Sequence, residues 1–80
     1  MAADDPTAQP REELAVVEEE LTRLRTTAAE LRGQIGERSF EPTDPAERSL
    51  LIIQAEEQEA LIAVHERRRE ELLQRLRETA

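Results

Sequence analysis

The sequence predicts an all-α protein, an antiparallel two-helix coiled-coil hairpin that associates into a four-helix bundle. Three observations carry this. Apolar residues recur at alternating steps of three and four from Leu14 to Ile35, the spacing of a helix with one apolar seam. A proline-bearing break then separates that ladder from a second helical segment. Each segment also opens acidic and closes basic, so folding back sets unlike charges face to face.

Composition sets the limits. Charged residues make up 38% of the 80-residue chain and aromatics 1%, with a single Phe. Cores normally lean on aromatic side chains for buried area. The core here is therefore aliphatic and thin, in a chain of a size where one core is marginal. Regular apolar spacing argues for helices rather than disorder. A formal net charge of −8 repels phosphates and anionic lipid, which disfavours direct nucleic-acid and membrane partners. The absence of cysteine excludes disulfides and thiolate metal sites. No apolar run approaches the roughly 18–20 residues of a membrane span, and no basic, apolar leader opens the chain. The reading is cytoplasmic.

Residues 1–9 are small, polar and aperiodic and read as a disordered N-terminal tail. The hairpin occupies 10–80. Its first helix is predicted over 10–37, with Pro10 at the first helical position and Glu12 and Glu13 where the helix dipole favours negative charge. Its seam is Leu14, Val17, Leu21, Leu24, Ala28, Leu31 and Ile35. Gly33 and Gly36 each weaken a helix by about 1 kcal/mol relative to Ala and place its end near Gly36 to Arg38. Residues 38–44 form the turn, because Pro42 and Pro45 push the residues before them toward extended geometry. Asp44 then serves as N-cap, Pro45 sits at the first helical position, and Glu47 can reach back as in a capping box. The second helix follows over 45–78, roughly 50 Å at 1.5 Å per residue.

The second seam is Leu51, Ala55, Gln58, Ile62, His65, Arg69, Leu72 and Leu76, flanked by Leu50, Leu61 and Leu73. So short a turn forces antiparallel neighbours. The alignment that results sets Leu31 beside Ala55, Leu24 beside Ile62, Leu21 beside His65 and Leu14 beside Leu72. It also brings Glu18 and Glu19 near Arg67 and Arg68. Gln58 and Arg69 interrupt the seam as register-setting polar residues. The three arginines Arg67 to Arg69 read as a solvated face paired with nearby carboxylates.

The second helix carries more apolar surface than one neighbour can cover. Leu50, Ile53, Ala60 and Val64 form a stripe away from the seam, and a helix apolar around much of its girth is buried by more than one partner. This predicts self-association, most simply a homodimer, although the same stripe could dock a helical segment of another protein. The function expected is a non-enzymatic protein–protein interaction or assembly module.

No chemistry competes with that reading. His65 is the sole histidine and has no second His or Cys with which to bind metal. It is expected to bond a carboxylate at the seam edge. Carboxylates abound, but no Gly-rich phosphate loop, nucleophile–base pair or metal spacing accompanies them. A thin hairpin also lacks the water-excluding pocket that catalysis requires. No catalytic residue, cofactor or metal is predicted.

The turn holds Phe40, the sole aromatic, beside Asp44 and Glu47. It either folds back over Ile35 and Leu50 or inserts into a partner. A hairpin whose tip reads Asp44-Pro45-Ala46-Glu47-Arg48-Ser49 resembles the coiled-coil arm of the DksA/TraR and Gre families, with acid, acid and a small residue at matching spacing. The resemblance covers the tip and the hairpin. It implies a transcription regulator that enters the secondary channel of RNA polymerase, with Asp44 and Glu47 acting near the active centre. A helical clamp on a sigma factor is a further alternative.

Overall fold

The computed structural model describes residues 5–38 and 44–79. It contains two helices in contact, α1 (Ala8–Arg38) and α2 (Pro45–Thr79), in a rod 66 Å long and 19 by 15 Å across. The proposed turn residues 39–43, Phe40 among them, lie outside the described residues, as do residues 1–4 of the expected tail.

Helix α1 starts at Ala8, two residues before the Pro10 start read from the sequence. Asp5 Oδ1 accepts hydrogen bonds from the Thr7 amide at 2.9 Å and the Thr7 hydroxyl at 2.7 Å. The Ala8 amide bonds the Asp5 carbonyl at 3.1 Å, and the Arg11 amide bonds the Thr7 carbonyl at 3.0 Å. Thr7 is thus the N-cap, and Pro10 falls on the third helical position rather than the first. The physical reason is that the first amides of a helix have no intrahelical acceptor, so a proline there removes nothing. Pro10 is buried in this arrangement, which extends the seam by a step. At the other end the helix runs through Gly33 and Gly36 to Arg38, with neither glycine in a positive-φ conformation.

The start of α2 is built as its sequence dictates. The Ala46 amide donates to Asp44 Oδ1 at 3.0 Å and the Arg48 amide to the Asp44 carbonyl at 3.1 Å. Pro45, at the first helical position, has no amide hydrogen to satisfy.

Between the helices lies the seam. Leu21, Ala28, Ala55 and Leu72 are buried, and the remaining members of both predicted ladders are half-buried. The small side chains Ala28 and Ala55 lie toward the turn end of this seam, Leu21 and Leu72 farther toward the open end. The direction follows from two ion pairs one heptad apart. Arg32 meets Glu59 and Arg25 meets Glu66, each step of one heptad up α1 taking its partner one heptad down α2. Glu13 meets Arg68 and Glu18 meets Arg69 on the way to the open end. Only antiparallel helices allow the order of the Arg25 and Arg32 pairs.

Two pairings differ from expectation. Glu18 pairs with Arg69 rather than with Arg67 or Arg68, and Arg68 is taken by Glu13 and Glu71. Glu19 and Arg67 are exposed because both occupy the outermost heptad position of their helices. His65 is half-buried, and its Nδ1 lies 2.8 Å from the Leu61 carbonyl one turn earlier on its own helix. No carboxylate bond to this ring is seen.

Candidate functional site

The seam uses one face of each helix and leaves a second apolar face on α2 uncovered. Leu50 is 54% exposed, Ile53 51%, Leu61 44% and Val64 61%, with Ala60 exposed between them. On a wheel of 3.6 residues per turn these five share one sector. Leu50, Ile53, Glu57, Ala60 and Val64 step by three, four, three and four, so they repeat the spacing of the seam on the far side of the helix. A second, shorter ladder is thus printed on α2. The predicted residues Leu50, Ile53, Ala60 and Val64 are brought together along this line. Leu50 and Leu61 were expected to flank the seam, but they are half or nearly half open because α1 does not extend around to them. Ile52 is half-buried and belongs to the hairpin's own edge.

No family model matches the chain, and no curated protein or solved structure matches it.

Charge frames the stripe unevenly. Glu59 beside it is bound to Arg32 in a two-point contact, Nε to Oε2 at 3.0 Å and Nη2 to Oε1 at 2.6 Å. The Arg32 hydrogen bond holds the Glu59 carboxyl below its ordinary range, and the same contact raises the Arg32 guanidinium. Arg68 is likewise raised by Glu13 and then Glu71. These partners are engaged within the hairpin. For Glu56, Glu57, Arg67 and Arg75 no such side-chain contact is seen.

Val16, 58% exposed, is an apolar surface residue that the sequence reading missed. It stands one position before seam residue Val17, and with Glu12 and Glu13 these two line a shallow apolar depression. A run of two valines was the signal. A second hollow, lined by Glu18, Leu21, Thr22, Arg25 and Arg69, is polar and crossed by the Glu18–Arg69 pair at 3.4 Å.

The predicted tip is described only from Asp44 onward. Asp44 and Glu47 are exposed on the first turn of α2, and Asp44 spends one carboxylate oxygen on the helix cap. Among the described residues no three His, Cys, Asp or Glu side chains stand together as a metal site. No helix of the described residues is long and apolar enough to cross a membrane.

Proposed function

We propose that this protein is a non-enzymatic interaction and assembly module of the cytoplasm. Its hairpin offers the Leu50–Val64 stripe of α2 to a further helix, in the simplest case a second copy of itself in a four-helix assembly. The observation that supports this is the concentration of exposed apolar bulk. Among the described residues, four of the five large hydrophobic side chains left exposed lie on that one sector of one helix. Scattered apolar residues need no explanation, whereas an aligned set does. Fully burying a side chain of this size is worth about 1.5–3 kcal/mol, a large amount for a hairpin with so thin a core.

Light scattering on the purified chain, beside its Ile53→Glu and Val64→Glu variants, tests this. The expected result is an assembly larger than one chain that either substitution reduces to monomer with helicity retained. Unchanged mass after both substitutions counts against it.

A second reading draws on the exposed carboxylates of Asp44 and Glu47 at one end of a 66 Å rod. It makes the protein a regulator of RNA polymerase acting through its tip. Purified transcription with Asp44→Asn and Glu47→Gln combined is the test, and output identical to the unaltered protein removes this reading.

A further inference from the structure

We propose that the occupant of the stripe is a second copy of this chain, with α2 packed antiparallel on α2 about a two-fold axis between Gln58 and Glu59. This rests on the reading above and specifies the partner, the direction and the register.

The register comes from the rules the hairpin itself obeys. In the seam, each residue of one ladder position faces the other ladder position of the partner helix. Residues just outside the seam pair along its edges, as Arg32 does with Glu59 on one edge and Glu13 with Arg68 on the other. The same rules applied to the second ladder leave one alignment that buries its large members against each other. Ile53 meets Val64 of the other copy, twice over. Ala60 meets the Glu57 stem, and Leu50 lies under the aliphatic stem of Arg67.

The edges then decide for a second copy of this chain. On one edge Leu61 meets its own counterpart across the axis. Farther out on that edge, Glu47 of each copy faces Arg75 of the other, the same relationship that Arg32 and Glu59 show within the hairpin. The ladder is thus complementary to itself in both apolar bulk and charge. A parallel arrangement instead sets Glu57 against Glu57 within the ladder and Arg67 against Arg67 at its end, which selects against it.

One juxtaposition opposes association. On the remaining edge Glu56 faces Glu56 of the other copy. The dimer is accordingly weak, formed over roughly 1 µM to 1 mM as expected of small interfaces. Because the stripe lies on the side of α2 away from α1, the four helices lie in a layer, α1–α2–α2–α1, with the two α1 helices outermost.

The chain contains no cysteine, so single cysteines report the register directly. Ile53→Cys and Val64→Cys variants are prepared separately, mixed, and exposed to a mild thiol oxidant. The expected product is a disulfide-linked mixed dimer, with little product from either variant alone. Glu56→Gln is expected to tighten the dimer severalfold in concentration-dependent light scattering. Efficient linkage of Ile53→Cys to itself, in an association still abolished by Ile53→Glu, overturns this register while leaving the assembly reading intact. A dimer indifferent to Ile53→Glu overturns both. A chain that stays monomeric through 1 mM overturns the second copy as the occupant.

Discussion

Arg32 and Glu59 face each other across the seam as a parallel two-point pair, guanidinium edge to carboxylate, at 2.6 and 3.0 Å. One heptad away Arg25 and Glu66 make a single, longer ion pair at 3.9 Å. Both pairs are substantially exposed, so they choose direction and register more than they hold the hairpin together.

Reversing one partner exposes that role. Arg32→Glu is expected to lower the melting temperature by placing like charges opposite each other, and adding Glu59→Arg to recover most of the loss. Circular-dichroism melts of the four members of this cycle check it. Strictly additive effects would show that the two side chains do not interact.

Acid should erase the same interaction. The Glu59 carboxyl is held below its ordinary value in the folded chain, so the folded state binds fewer protons than the unfolded one. Its contribution is complete above the ordinary glutamate value of about 4.3 and disappears as the pH falls through the lower folded value. Neutralising an acidic chain relieves general repulsion at the same time, so the useful quantity is a difference. The melting-temperature gap between the unaltered protein and Arg32→Gln is expected to close between about pH 5 and pH 2. A gap independent of pH would sink the assignment.

The seam should tolerate neither holes nor excess. Leu21 and Leu72 are essentially inaccessible, as is Ala55. Truncating either leucine to alanine is expected to cost about 2–5 kcal/mol, enough to melt so small a core. Ala55→Leu, which improves neither spacing nor propensity, should cost about 1–3 kcal/mol by forcing the helices apart. Urea titrations followed by helical signal measure all three. A stabilised Ala55→Leu would mean that the backbones do not approach there.

Gly33 and Gly36 offer the reverse. Both lie within α1, and a Cβ at either meets nothing within 4 Å. Gly33→Ala and Gly36→Ala should each stabilise by roughly 0.5–1 kcal/mol, through helix propensity alone. Loss of stability in either would place an unseen neighbour at that surface.

Asp44 separates capping from recognition. Asn caps as well as Asp does, whereas Ala costs typically about 1 kcal/mol. Asp44→Asn is expected to preserve the melting temperature and Asp44→Ala to lower it. Any partner effect common to both variants then reports the lost charge. Equal melting temperatures for Asp44→Ala and the unaltered chain would show the cap to be dispensable.

Most of the hairpin was legible because its signals are local. The ladder from Leu14 to Ile35 needs only the helical repeat to be read, and Asp44-Pro45 announces a helix start through its own chemistry. The Asp5–Thr7 start was not legible, since Pro10 costs no intrahelical hydrogen bond at the third helical position and favours the first. The exposed stripe at Ile53 and Val64 was legible as a surplus of apolar residues. The openness of Leu50 and Leu61 was not, because adjacency to a seam in sequence does not say how far the neighbouring helix reaches around.

The amino-acid order by itself determined the two helices, their seams and their opposed directions, because spacing, proline placement and charge blocks act over a few turns of one chain. The tertiary structure decided which arginine meets which glutamate, sending Arg69 to Glu18 and Arg68 to Glu13. It also decided which leucines remain in contact with water. Both depend on where the second backbone passes, which no signal confined to a few turns of one helix specifies.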